Sequence, residues 1–211
     1  NIYTIAGKTI EPKVIEYLGD FYYGTENLIT PEDKYGKDYF KKTWGDFFKA
    51  EHDILGGMWD CLYVDKETGA KAVIEIKTTK RSQDWLNEDG QIESPDYYAL
   101  QASLYAYLLG WDDVVMCVSF LEEGDYDDPD SYVPSAYNTQ LEHFKVSERY
   151  PEFDYLVEQV LDWYATYVGG GKSPYFDEKK DKEYLDGLRK NVISTPSNSD
   201  ISSAVATADE M

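Results

Sequence analysis

Apolar residues at Ile5, Ile10, Val14, Ile15 and Leu18 recur at helical spacing and predict an amphipathic helix over 5–18. Thr9 is its candidate N-cap, Pro12 falls in the first turn where a missing N–H costs little, and Glu11 lies near the helix start. From Gly56 to Thr79 the period changes to two. Met58 to Val64 reads as a strand, Asp65-Lys66-Glu67-Thr68-Gly69 as a polar turn, and Ala70 to Thr78 as a second strand rich in Val and Ile. Ser82 to Pro95 has loop character. A largely apolar helix follows from Asp96 to Leu109, capped by Asp96 or Ser94 and stopped by Gly110. Val114 to Leu121 is a continuous apolar run of strand length, predicting burial on both faces. Residues 122–139 form an acidic insertion, a short alternating strand is expected around Leu141, Phe144 and Val146, and a helix over 151–168 carries Phe153, Leu156, Val160, Leu161 and Tyr164 on its apolar stripe. Gly169 to Gly171 break that helix.

The order helix, hairpin, helix, strand, strand, helix predicts an α/β sandwich with a small mixed sheet between helices. The chain reads as one domain over 1–193 with a tail, 194–211, rich in Ser, Thr and Ala. No apolar run approaches the roughly 20 residues of a membrane span and no secretory signal is visible, so a cytoplasmic protein with no membrane partner is expected. Cys61 and Cys117 stand singly in apolar runs with only two His in the chain, a pattern of buried thiols rather than of a zinc or iron–sulfur site. Trp85, Trp111 and Trp163 read as core or rim aromatics, and His143 has no evident partner. His52 and Asp53, adjacent in sequence, make a poor metal pair.

Charge complicates any polyanionic partner. The formal charge is −21, with 12 basic against 19 acidic residues up to position 100 and 8 against 22 beyond it. Such a field repels nucleic acid except where the sign reverses locally. It does so over 34–49, with Lys34, Lys37, Lys41, Lys42 and Lys49 against Asp38 and Asp46, and again over 66–81. Tyr35, Tyr39, Phe40 and Trp44 accompany the first window as candidate stacking surfaces; a basic amphipathic helix with an aromatic core stripe fits equally well.

The chemistry concentrates on the second strand. Alternation sets Glu75 and Lys77 on one face and Ile74 and Ile76 on the other. If residues 65 and 70 close the hairpin, Asp60 falls opposite Glu75, at a Cβ separation of roughly 4.5–5.5 Å where like charges repel. Two carboxylates beside a lysine suit a hard divalent cation, with the Ile76 carbonyl as a further oxygen, and such a site activates water against a phosphodiester. A solvated hairpin with a lysine–carboxylate pair is the bland alternative. Gln101 and Tyr105 share a face of the 96–109 helix, and a buried Gln101 amide needs a partner.

Asp60, then Glu75-Ile76-Lys77-Thr78-Thr79, then Gln101 to Tyr105 on a helix resembles the PD-(D/E)XK nuclease superfamily, in particular its RecB-like branch of lambda-exonuclease (YqaJ-type) and RecE-type phage recombination exonucleases. Gly7 to Glu11 is similar to that branch's N-terminal helix. The resemblance implies a restriction-endonuclease-like α/β sandwich. It also implies Mg²⁺, with Mn²⁺ as substitute, bound by Asp60, Glu75, the Ile76 carbonyl and Glu11, with Lys77 positioning the attacking water and Gln101 and Tyr105 supporting the site. Thr78, Lys80 and Arg81 would contact the DNA backbone. The expected activity is hydrolysis of DNA from duplex ends in phage or bacterial recombination, with a single-strand annealing or recombinase protein as partner and a homo-oligomeric ring as assembly. A nuclease-like module that binds DNA or protein without cutting is the alternative, and structural carboxylates in an unrelated α/β domain are a third.

Overall fold

The computed structural model describes residues 1–37, 39, 54–177 and 179–191. Chain contacts divide it into two units, 1–158 and 159–211. The basic positions Lys41, Lys42 and Lys49, the aromatic Phe40 and Trp44, the His52-Asp53 pair and the tail 194–211 lie outside the described residues.

The first unit is an α/β fold built on a five-stranded mixed sheet in the order β1-β2-β3-β4-β5. The strands are β1 (Leu28–Ile29), β2 (Cys61–Val64), β3 (Lys71–Thr79), β4 (Asp113–Phe120) and β5 (Thr139–Lys145). β3 and β4 are parallel and every other pairing is antiparallel. The two-residue β1 was not legible in the sequence, being too short to show a period. The β2–β3 hairpin closes as expected: Asp65 N–H donates to the Ala70 carbonyl at 2.9 Å and Cys61 pairs with Ile74. Its turn is held by the Asp65 carboxylate, which accepts from the backbone N–H of Glu67 and Thr68 and from the Thr68 hydroxyl. Gly69 takes the left-handed conformation at φ +77°.

Helix α1 (Ile2–Leu18) starts seven residues before the expected Thr9 cap. Asn1 is the N-cap, its side-chain oxygen accepting from Thr4 N–H at 2.9 Å. Glu11 and Pro12 therefore sit in the helix interior rather than its first turn. An interior proline forgoes one backbone hydrogen bond, and burial of Ala6, Ile10, Val14 and Leu18 at strict four-residue spacing carries the helix through it. That stripe packs with Cys61, Ala72, Ile74, Ile76, Val115 and Cys117 into the core on one sheet face. Both cysteines are free and buried. The acidic insertion is ordered: α4 (Glu123–Asp127) and a 3-10 turn at Pro129–Ser131 lie against α1. There the Lys13 ammonium donates to the carbonyls of Pro129, Asp130 and Tyr132.

Between them in sequence, a short α2 (Pro31–Tyr35) with a Thr30–Asp33 capping box follows β1. Helix α3 (Asp96–Leu109) makes the crossover from β3 to β4 and packs on both, on the face opposite α1. Its buried small residues Ala99, Ala102, Ser103 and Ala106 permit close approach, and Gly110 ends it in the left-handed conformation. The expected side-chain cap is not used. Pro95 occupies the cap position, and Ser94 instead donates its N–H to Glu142 and is gripped by Arg149.

Val146 does not extend β5 but opens α5 (Val146–Arg149). Helix α6 (Phe153–Trp163) continues as a π-helical turn, Tyr164–Gly169. Of its expected stripe only Phe153 is buried, with Val157 beside it, while Leu156, Val160 and Tyr164 are exposed. The periodicity is helical as predicted, and Phe153 packs on Tyr107 and Tyr150. Helix α7 (Asp181–Asn191) belongs to the second unit. No helix among the described residues is long and apolar enough to cross a membrane.

Candidate active site

The hairpin register delivers the acidic pair. Asp60 lies immediately before β2, and its Oδ2 accepts the Ile76 N–H at 2.7 Å, which ties the carboxylate to the backbone beside Glu75. β3 alternation sends Ile74 and Ile76 into the α1 core and turns Glu75 and Lys77 beneath α3. Glu75 is 2% exposed, and Lys77 Nζ donates to its Oε1 at 2.6 Å. Its Oε2 is buried with no hydrogen-bond partner. An unpartnered carboxylate oxygen in a protein interior is costly unless a cation or proton meets it.

Electrostatics concentrate on the same spot. Burial, reinforced by the negative charge of Asp60, pushes the Glu75 carboxyl up to about 8 against the pull of Lys77. Burial likewise holds Glu11 at about 7, with Asp60 adding to it and Lys77 and Lys8 opposing it. Asp60 is raised by burial, against the Ile76 N–H and Lys77. For Lys77 burial acts downward, yet Glu75, its hydrogen bond and Asp60 outweigh that and leave the ammonium above its usual range. Three carboxyls that resist ionisation lie within electrostatic reach of one ammonium, and a divalent cation held between such carboxyls would displace bound protons. The donor set fits Mg²⁺ or Mn²⁺: Asp60 and Glu75 supply hard oxygens and the vacant Oε2 is an acceptor. Among the described residues no three His, Cys, Asp or Glu side chains stand together as a metal cage; Glu75 Oε1 is bonded to Lys77.

Helix α3 roofs the site. Gln101 and Tyr105 share a face, and the Gln101 amide donates to the Tyr105 hydroxyl at 2.7 Å, so the amide finds its partner on its own helix. Tyr105 is raised by burial and by the Glu75 charge. Gly57 had no sequence signal. A Cβ there would stand 2.2 Å from Tyr105 Cε1, so only glycine lets the chain before β2 pass this ring. Tyr98 was also not singled out, yet its ring lies 4.9 Å from Lys77 Nζ. Trp85 is buried, as expected, and stacks on Tyr98 at 5.7 Å.

The expected DNA contacts lie at the end of β3. Thr78 faces Gly7 of α1, where an added Cβ would meet Thr78 Oγ1 at 3.5 Å. Lys80 Nζ pairs with Glu123 Oε2 at 3.0 Å, and Arg81 approaches Asp84 at 3.9 Å. Of the first basic window, Lys34 reaches over the rings of Tyr35 and Trp59, next to Asp60. His143 has a partner after all, the Tyr23 hydroxyl at 3.2 Å. Both line a cleft of about 460 Å³ at the far end of β3 and β4 from Thr79.

No family model matches this chain. No solved structure matches it significantly. Among curated proteins it is similar to an uncharacterized protein of Mycoplasma genitalium, 26% identical over an alignment 209 residues long that covers 82% of this chain and 70% of that protein.

Proposed function

We propose that the chain is a Mg²⁺-dependent deoxyribonuclease of the restriction-endonuclease-like kind, hydrolysing DNA phosphodiester bonds and working from ends in phage or bacterial recombination or repair. The observation that carries this reading is the meeting of Asp60 and Glu75 beside Lys77, with one buried Glu75 oxygen left open. When bound, the cation supplies an activated water and neutralises charge developing on the phosphate oxygens. Asp60, Glu75, Glu11 and the Ile76 carbonyl would hold it. Lys77 stays protonated at neutral pH, so it acts as a donor that orients the attacking water and steadies phosphate charge rather than as the base. Tyr105 and Gln101 form a dry wall that keeps the ammonium and carboxylates in a low dielectric. Thr78, Lys80 and Arg81 would take the DNA backbone.

The test is incubation of linear and circular duplex DNA with Mg²⁺ or with EDTA, using wild type, Asp60→Ala and Glu75→Ala. Mg²⁺-dependent loss of linear DNA by wild type alone is the expected result. Equal activity in both variants, or activity undiminished by EDTA, sinks the assignment. A second reading rests on the ion pairs that already occupy Lys80 and Arg81: a nuclease-like module that docks on DNA or a protein without cutting. DNA binding with no hydrolysis in Mg²⁺ or Mn²⁺ would favour it.

A further inference from the structure

Three aromatic rings run outward from the candidate lysine. Tyr98 lies 4.9 Å from Lys77 Nζ, and Trp85, 2% exposed, stacks behind it at an interplanar angle of 24°. Tyr97 meets Tyr98 with centroids 4.2 Å apart and is itself 66% exposed. An exposed tyrosine on a helix is ordinary; this one is the outer end of a packed ladder whose middle ring, Tyr98, lies against Lys77. Its mounting is rigid. Tyr97 occupies the first turn of α3, just after Ser94, whose N–H, hydroxyl and carbonyl are held by Glu142 and Arg149.

The surroundings select what can stack there. A cleft of about 380 Å³ formed by the segment that precedes Tyr97 carries Asp84, Glu88, Glu93 and Asp96 among its lining, with Leu86, Asn87, Ser94 and Pro95. Carboxylates on that side repel a phosphate backbone, and Arg81 and Lys80 offer a cationic side once a phosphate replaces Asp84 and Glu123 as their partners. One backbone can therefore pass over Lys80 and Arg81 with its base turned toward Tyr97, while the second backbone of a duplex would have to run along the acidic wall. A base inside a duplex is also covered on both faces by its neighbours, so only an unpaired base, or the outer face of a terminal pair, is open to a ring.

We propose that Tyr97 is a stacking platform for the base next to the scissile phosphate, making single-stranded DNA, or the frayed end of a duplex, the substrate the site engages. This rests on the nuclease reading and narrows it. Two short steps, 4.9 and 4.2 Å, separate Lys77 Nζ from the Tyr97 ring, within one nucleotide's span of base from phosphate.

The experiment measures binding by fluorescence anisotropy in Ca²⁺, with a fluorescein-labelled oligothymidylate, the same strand lacking its terminal base, and an end-free closed circular duplex as unlabelled competitor. Wild type, Tyr97→Ala and Tyr97→Trp are compared, followed by degradation assays in Mg²⁺. Tyr97→Ala should bind the intact single strand about 5- to 150-fold more weakly, the range of one base–aromatic stack. Its duplex affinity should change less than twofold, and Tyr97→Trp should bind like wild type. Removing the terminal base should weaken wild type by the same factor and leave Tyr97→Ala unaffected, with the variant's retained duplex affinity excluding misfolding as the cause. Equal single-strand affinity of wild type and Tyr97→Ala, or equal losses for single strand and duplex, overturns the platform. If wild type degrades DNA and Tyr97→Ala matches it throughout, the platform falls and the nuclease reading stands. If wild type neither binds nor cuts DNA, both fall.

Discussion

Glu75→Gln isolates the chemistry of the site in one buried atom. The substitution keeps the side chain's size, removes its charge and leaves Lys77 an oxygen to bond. In the wild type the carboxyl titrates at about 8 instead of the usual 4.5. Between those values the folded chain binds more protons than the unfolded chain, so the charged carboxylate opposes folding and stability falls as pH rises. The loss begins above the unfolded value, grows through the neutral range and levels off once pH passes about 8. Each pH unit in that window is worth about 1.4 kcal/mol, so from pH 5.5 to 7.5 Glu75 removes up to about 3 kcal/mol, shared in part with Asp60 and Glu11. The assay is urea denaturation in EDTA at both pH values. The wild type should lose stability by the larger amount, and Glu75→Gln should be flatter by 2–3 kcal/mol over the same range, roughly. Adding Mg²⁺ at about a hundred times its dissociation constant should return about 2.7 kcal/mol to the wild type at pH 7.5 and nothing to Glu75→Gln. A variant that keeps the wild-type pH slope, or that Mg²⁺ stabilises equally, refutes the reasoning.

Further outcomes follow from neighbouring contacts. Gly57→Ala should displace Tyr105 and cost about 1–3 kcal/mol of stability, because the new Cβ would lie 2.2 Å from that ring, whereas Gly7→Ala, with 3.5 Å to Thr78, should be neutral or slightly stabilising; thermal melts of the two decide it. Arg149→Ala strips the counter-charge from Glu142, whose side chain is 13% exposed and keeps the Ser94 N–H, and should cost roughly 3 kcal/mol in denaturant titrations. Lys80→Ala should lower the salt dependence of DNA binding by about one unit of slope, and Glu123→Gln, by releasing Lys80, should tighten binding at low salt; anisotropy at several salt concentrations reads both.

The parts of this protein that local rules govern could be read without coordinates. A polar turn ending in Gly69 sets a hairpin register, and that register alone brings Asp60 beside Glu75, because pairing arithmetic needs only the turn. The apolar run of β4 and the stop at Gly110 are equally local in origin. Where α1 begins was misjudged: the apolar spacing continues only from Ala6, while Asn1 caps from outside the periodic segment. The character of the site is tertiary. That Lys77 spends its ammonium on one Glu75 oxygen and leaves the other bare, and that Trp85, Tyr98 and Tyr97 form one ladder, depend on how α3 settles across β3 and the 82–95 loop. Periodicity says which face a side chain takes. Which atoms then meet, and which stay unmatched, is decided only when segments distant in the chain are packed to within a few ångströms of each other.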